Sequence, residues 1–306
     1  MLSYLLRRLL LAIPVLFLVV TITFFFMRLS PGSPFSLDRG TIPPRVLQEL
    51  EARYKISGPV HEQYLYYLMD LLRGDLRLST KYRDRSVNEI LAQTLPISMM
   101  LGFSGLLIAL LIGIPLGVVA ATHHGQTTDI FTRLIALVGI STPSFLLAPL
   151  LILMWGISIP IFPVAGFDSP LALVLPSLCL GLPAAAAIAR LMRTSLLEVL
   201  SSDFIRTARA KGLSENKVVY KHALKVAILP IISYCGPLAA HLLTGSIVVE
   251  TIFHIPGMGP FFVNSVLNRD VFLIGGVVLT FSLLLILFNL VTDLLYTFVD
   301  KRIRLS

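Results

Sequence analysis

Hydrophobic residues in this chain come in long runs, separated by polar stretches rich in charge, glycine and proline. Six runs stand out, at roughly 9–29, 96–121, 134–157, 171–189, 226–249 and 274–297. An apolar run of about 18 or more residues with few charges is long enough to cross the hydrocarbon core of a bilayer. Lipid offers the backbone no hydrogen bonds, so each run must satisfy its own amides and forms a helix. The pattern predicts an all-α integral membrane protein with about six transmembrane helices. The first run follows Arg7 and Arg8 and exceeds the apolar region of a cleaved signal, about 7–15 residues, so it reads as a retained span. Three parts result: 1–29 with the first span, a large extracytoplasmic segment 30–95, and a five-helix core 96–306 with a cytoplasmic loop at 190–225.

The polar stretches set the orientation. Loop 190–225 carries Arg190, Arg193, Arg206, Arg209, Lys211, Lys217, Lys221 and Lys225 against Glu198, Asp203 and Glu215. The stretch 158–170 has neither Lys nor Arg, and 250–273 has only Arg269. The tail adds Lys301, Arg302 and Arg304. The positive-inside rule therefore places 190–225 and both termini in the cytoplasm. The segment 30–95 carries both signs, but loops longer than about 60 residues translocate largely regardless of charge. Pro43-Pro44 opens a helix through Tyr54, since proline suits a first helical turn. Leu65, Leu68, Met69 and Leu72 repeat at helical spacing. Ser86-Val87-Asn88-Glu89 has the form of a capping box before Ile90 and Leu91. These features predict short helices on the outer membrane face, within reach of a soluble partner.

Composition agrees with a membrane location. Of 306 residues 56% are hydrophobic and 14% charged, where a soluble domain has about 25% charged. The net charge of +8 would suggest nucleic acid on a soluble protein; concentrated in particular loops, it is explained by orientation, and no nucleic-acid partner is expected. Cys179 and Cys235 fall inside apolar runs and read as packing residues.

Small residues mark the contact faces. The second span has Gly105, Ala109, Gly113, Gly117 and Ala121, each four apart; the fourth has Gly181, Ala185 and Ala189; the fifth has Gly236, Ala240 and Thr244. Membrane helices approach closely through such stripes. The first span carries Leu16, Phe17 and Phe24 to Phe26, and the sixth is rich in Leu and Phe. Spans two, four and five are thus expected at the centre, with one and six facing lipid more. Pro115, Pro143, Pro149, Pro183 and Pro237 interrupt the spans, which suits either a moving, path-lining helix or an inert bend. Asp293, near the inner end of the last span, reads as a functional group or as a structural ion pair with Lys301 nearby.

The inventory of chemistry is short. The chain has no His-Glu-x-x-His, no Cys-x-x-Cys and no Gly-x-Ser-x-Gly. His123 and His124 are adjacent, and helical neighbours point in different directions. No Gly-x-x-x-x-Gly-Lys-Ser/Thr loop cradles phosphates, so any ATP that drives the protein is hydrolysed by another polypeptide. No enzyme activity, bound cofactor or metal is expected of this chain. No relay of ionisable residues crosses the spans, as a secondary transporter would need.

The cytoplasmic loop is the most informative segment: Ser202-Asp203-Phe204-Ile205-Arg206-Thr207-Ala208-Arg209-Ala210-Lys211-Gly212-Leu213. Ser202 or Asp203 caps a helix start, and Gly212 ends it in the left-handed conformation before the apolar Leu213. Ile205, Ala208 and Arg209 share a face, and Arg206 and Ala210 lie four apart. This predicts a helix of two to three turns with an apolar side and a basic side, which serves either to dock on a protein or to attract acidic lipid.

The run Arg206 to Leu213, followed by His222-Ala223-Leu224-Lys225, resembles the coupling loop of binding-protein-dependent ABC importer permeases of the oligopeptide, dipeptide and nickel family. The broader family motif begins Glu-Ala-Ala, with Gly four residues after the second Ala and a later Leu-Pro. Here Arg206-Thr207-Ala208 precedes Gly212 and Leu224-Lys225 replaces Leu-Pro, departures usual for the peptide branch. Further stretches resemble the same family: Arg28-Leu29-Ser30-Pro31-Gly32-Ser33-Pro34; Gly74-Asp75-Leu76-Arg77-Leu78-Ser79, with Arg77 in place of the usual Gly; and 245–253 running into Ile255-Pro256-Gly257-Met258-Gly259. Asn268-Arg269-Asp270 and the ending Asp293-Leu294-Leu295-Tyr296 with Asp300-Lys301-Arg302-Ile303 also fit.

The resemblance implies an ABC importer type I permease architecture in a bacterial inner membrane. It implies a second homologous permease, two ATPase subunits that bind ATP and Mg, and a periplasmic or lipid-anchored peptide-binding protein. Residues Phe204, Ile205, Arg206, Thr207, Ala208, Arg209, Ala210, Lys211, Gly212 and Leu213 would form the helix that docks on an ATPase. In it Phe204, Ile205 and Ala208 would make apolar contact, and Arg206, Arg209 and Lys211 would pair with acids or helix ends. Glu250 reads as a gate or partner contact, or as a solvated interface charge. The implied substrate is an oligopeptide, with dipeptides or nickel as alternatives.

Overall fold

The computed structural model describes residues 2–29, 44–54, 56–82 and 84–299. Pro43, the stretch 30–34, and Asp300, Lys301, Arg302, Ile303 and Arg304 lie outside them. The described residues form helices α1 (Leu2–Leu29), α2 (Pro44–Arg53), α3 (Val60–Leu72), α4 (Val87–Thr122), α5 (Thr127–Ser141) and α6 (Ser144–Leu151). There follow α7 (Val174–Leu200), α8 (Asp203–Ala210), α9 (Glu215–Lys217), α10 (Leu224–Ala227), α11 (Leu229–Leu243), α12 (Ile247–Ile252), α13 (Met258–Leu267) and α14 (Val271–Val299). Wider π-type turns extend α6 through Ile152–Ser158 and join α9 to α10 through Val218–Ala223.

Five helices are long and apolar enough to cross a bilayer, and Thr127–Ser141 with Ser144–Ser158 makes six if that bent pair counts as one span. That third span is broken by a bend of 108°. The break follows from Thr142-Pro143: proline pushes the residue before it out of the α region, and Thr142 sits at φ −85°, ψ 115°. Two boundaries move relative to the hydropathy runs. The capping box opens the second span itself rather than a surface helix: Glu89 N–H donates to Ser86 Oγ (3.1 Å) and Ser86 N–H to Glu89 Oε2 (3.2 Å). At the other side, α7 continues to Leu200, so Arg190 and Arg193 stand on a helix and not in a loop.

The small-residue stripes of α4 and α7 meet. A Cβ on Gly113 would lie 2.6 Å from the Ala185 carbonyl oxygen, and one on Gly117 2.6 Å from that of Ala189. In return, a Cβ on Gly181 would lie 2.7 Å from the Gly105 carbonyl oxygen. The fifth span divides its small residues: Ala240 is buried in the centre, while Gly236 faces Thr292 and Asn289 of α14. The centre is α7, with 61% of its span buried, against 11% for the first span. The sixth span departs from expectation: it is as buried as the second, at 33% each. Its Phe272, Leu273 and Val277 pack inward, while Leu283, Leu287 and Val291 carry the apolar face turned out. Asp293 forms its ion pair with Arg8 of α1.

The outer segment docks through a mixed face, with Tyr54, Tyr67, Leu68 and Leu71 in one apolar cluster with Val20, Phe24 and Phe272. On α3 the residues Leu65, Met69 and Leu72 are exposed, while Gln63, Tyr67 and Asp70 point inward. Tyr67 stacks on Phe24 at 5.5 Å, and Thr21 Oγ1 and Tyr64 OH are 2.5 Å apart, which ties α3 to α1. Arg77 is buried, pairs with Asp70 at 2.8 Å and lies over the rings of Tyr67 and Phe272. Its backbone adopts φ 68°, the left-handed region, which explains why the related motif uses glycine here. Asp270 is buried at the start of α14, accepts from Leu273 N–H (3.2 Å) and from the Ser79 hydroxyl, and so joins the outer segment to the last span.

Replacing Gly117 by Val should lower the thermal midpoint in detergent strongly, overpacking costing about 1–3 kcal/mol or more; Leu111→Val, on the exposed face, should leave it nearly unchanged. Arg77→Gly removes roughly 1–2 kcal/mol of backbone strain but also the buried cation beside Asp70, and breaking such a pair costs about 3–5 kcal/mol. The variant should therefore unfold at lower temperature than the parent.

Candidate functional site

Helix α8 forms where the loop pattern places it. Ser202 is the N-cap residue with extended backbone (φ −73°, ψ 154°), though its hydroxyl donates back to the Val199 carbonyl and accepts from no helix N–H. Asp203 supplies negative charge in the first turn. Gly212 has φ 75° and its N–H donates to the Arg209 carbonyl (2.9 Å), ending the helix. A Cβ there would meet open space, so glycine is required by the backbone conformation alone.

The faces of α8 differ from the expected division. Ile205 (0% exposed) and Ala208 (8%) pack into the chain's own core, among Met192, Leu196, Val218 and Val219, and Leu213 packs against the same cluster. They are therefore not available for apolar contact with a partner. An eight-residue helix is marginal alone and needs a buried stripe to stay formed. What remains outward is Phe204, 48% exposed, with Arg206, Thr207, Arg209, Ala210 and Lys211. Phe204, Thr207 and Lys211 share one face by helical spacing. Arg209 reaches across to Glu215 (2.8 Å), and Arg206 pairs loosely with Asp203 (3.4 Å).

A cavity of about 590 Å³ opens among α5, α6, α7, α11 and the turn before α12. Its polar lining is Thr142, Ser144, Tyr234, His241 and Ser246, and no Asp, Glu, Lys or Arg contributes. The Thr142-Pro143 break and the non-helical stretch at 245–246 place backbone and hydroxyl groups at membrane depth, where irregular backbone is tolerated if it lines a cavity. Hydropathy gave no access to these residues; the prolines at 143 and 183 were the available signal.

Glu250 stands behind this wall and is fully buried, which excludes a solvated interface charge. It accepts from Ser98 Oγ of α4 (2.8 Å) and from Gly259 N–H at the start of α13 (2.8 Å). Ser98 Oγ in turn accepts from Met258 N–H (2.7 Å). A Cβ on Gly245 would lie 2.6 Å from Glu250 Oε1, and one on Gly257 would collide with Oε2. The carboxylate thus explains both glycines: only bare backbone fits around it. It staples α4, α12 and α13 and makes no contact that would serve as an exposed partner surface. At the opposite end, Asp129 is buried between Gly125 N–H (3.0 Å), His124 (3.3 Å) and Arg193 (2.7 Å), fastening α5 to α7.

Glu250→Gln keeps the volume but turns an amide N–H₂ toward a donor, leaving a buried group unsatisfied at about 1–3 kcal/mol. A lower thermal midpoint is expected in purified protein; an unchanged midpoint with altered transport would instead assign Glu250 to a gate.

The family described as the binding-protein-dependent transport system inner membrane component matches residues 113–305, and the N-terminal component of the same system matches residues 1–100. The oligopeptide transport system permease protein OppB of Haemophilus influenzae is 42% identical over 99% of this chain and all of its own length. OppB of Salmonella typhimurium is 44% identical over the same share, and the dipeptide transport system permease protein DppB of Bacillus subtilis is 41% identical over the whole chain and 99% of its own. The inward-facing methionine ABC transporter MetNI superimposes with a TM-score of 0.58 at 19% identity, over 69% of this chain and 96% of its own, and shares the fold. With matches covering nearly its whole length, this chain belongs to the family of binding-protein-dependent transport system inner membrane components.

Proposed function

We propose that this chain is one of two pore-forming permeases of an ATP-driven importer of oligopeptides, with α8 as the helix that couples it to a cytoplasmic ATPase. The observation that carries the coupling is the division of α8: Ile205 and Ala208 anchor it to the permease core, while Phe204, Thr207 and Lys211 project outward from a chain that has no phosphate-binding loop. Movement of an ATPase holding that outer face would pass through Ile205 and Ala208 to the Val218–Ala223 turn, and through the apolar cluster they share to α7. Peptide as substrate is supported by the oligopeptide and dipeptide permeases that this chain matches end to end. The uncharged cavity fits such a cargo: hydroxyl, imidazole and backbone groups serve a peptide main chain without selecting one side-chain charge. A second permease supplies the facing wall, two ATPases bind ATP and Mg, and a binding protein delivers the peptide to the outer side.

Gentle detergent purification of the tagged chain, with mass spectrometry of what accompanies it, tests the assembly. A second permease, one or two ATPases and a peptide-loaded binding protein are expected; a stable chain alone, with those partners co-expressed, would refute the reading. Phe204→Ser should lose the ATPase while leaving the permease folded, whereas Ile205→Ala should destabilise the permease itself by about 2–5 kcal/mol. Gly212→Val, strained at positive φ, should cut ATP-driven peptide uptake at least several-fold with insertion intact, and Gly212→Asn should retain most of it.

A further inference from the structure

A second cavity, of about 360 Å³, lies along the inner half of α5 and α7. Ile140 lines both cavities, so the two follow one another along the same pair of helices. The positive-inside orientation puts the start of α5 and the end of α7 at the cytoplasmic surface, making this second cavity the inner one. Its walls are apolar, with Ala136, Leu137 and Ala189 among them, but its rim carries Arg133, Arg190 and Arg193.

Two of these guanidinium groups, those of Arg193 and Arg133, face one carboxylate, that of Asp129. Arg193 holds it with two hydrogen bonds (Nε to Oδ1 2.7 Å, Nη2 to Oδ2 2.9 Å) and is itself largely buried. Arg133 is more than half exposed and only grazes the same carboxylate at 3.5 Å. Arg190 is exposed and takes part in none of the ion pairs among the described residues. The rim therefore keeps an excess of positive charge, while the outer cavity has no charged lining at all. Topology alone asks for cations near the inner end of a span; it does not ask that they ring a cavity that shares the wall residue Ile140 with the outer one.

We propose that Arg190 and Arg133 form a carboxylate-receiving mouth at the cytoplasmic end of the substrate path, acting on the C-terminal carboxylate of the passing peptide. The inference rests on the peptide-importer reading above. A free carboxylate is the one anion that every linear peptide carries whatever its side chains, and guanidinium binds it in a planar fork. Because both arginines are solvated, the contact is weak and readily released, as passage through a path requires. The field draws the carboxylate inward past the uncharged stretch and discharges it into the cytoplasm.

The test uses the complete importer in proteoliposomes, with its binding protein saturated by either of two probes: a tetra-alanine peptide with a free carboxylate, or the same peptide as its C-terminal amide. The unmodified importer should turn over the free acid faster. Arg133→Gln with Arg190→Gln should slow the free acid at least three-fold and leave the amide unchanged, so that the two rates converge. Arg190→Lys, which keeps the charge, should retain the preference for the acid, and it serves as the readout if the double variant does not assemble. Equal loss for both peptides, no loss for either, or Arg190→Lys behaving as Arg190→Gln would overturn the proposal. So would loss of a co-purifying acidic phospholipid from the double variant with the two peptides equally affected, which would make the rim a lipid site. Failure of the unmodified importer to move either peptide would instead refute the peptide reading itself.

Discussion

The structure depends on the close approach of α4 and α7. Lipid supplies no hydrophobic force between helices, so association rests on packing and on the interactions that short separations permit. Gly113, Gly117 and Gly181 bring the two backbones to distances where even a methyl group would strike a carbonyl oxygen. Everything functional is hung on this pair. α7 carries α8 at its inner end, lines both cavities and receives the ion pair from Asp129 at the start of α5.

Polar groups inside the protein are used as fasteners between segments distant in sequence. Ser98 and Glu250 are joined across 152 positions, Ser79 and Asp270 across 191. Each carboxylate sits at the start of a helix, α13 for Glu250 and α14 for Asp270, where free N–H groups welcome negative charge. This arrangement gives the glycines of 257–259 a reason: they clear space for Glu250 next to the wall of the outer cavity. Arg77 shows the opposite trade. It occupies a left-handed backbone position without glycine's freedom, and its guanidinium, between Asp70 and two aromatic rings, offsets the strain.

The two cavities differ in their lining. An uncharged cavity with hydroxyl and imidazole groups lies outward; an apolar one with a basic rim lies inward. The Thr142-Pro143 break creates the outer cavity by turning α6 away from α5, so a local backbone restriction becomes a feature of the path.

Hydropathy determined the helical class and the apolar runs that become five spans, or six with the bent pair, because lipid forces these without reference to tertiary contacts. The stripes of small residues placed α4, α7 and α11 at the centre, since a four-residue spacing marks one helix face, but that α4 and α7 meet was decided by the tertiary structure. The motif 202–213 located α8 and its glycine stop, since caps and left-handed positions are local. Local pattern could not say which way a face points. Ile205 and Ala208 look identical in sequence whether they meet a partner or the chain's own core, and Leu65, Met69 and Leu72 look like a docking stripe yet lie outward. Nothing local joins Glu250 to Ser98, Asp129 to Arg193 or Asp270 to Ser79. Those pairings span distances along the chain over which periodicity carries no information, so only the tertiary structure decided them.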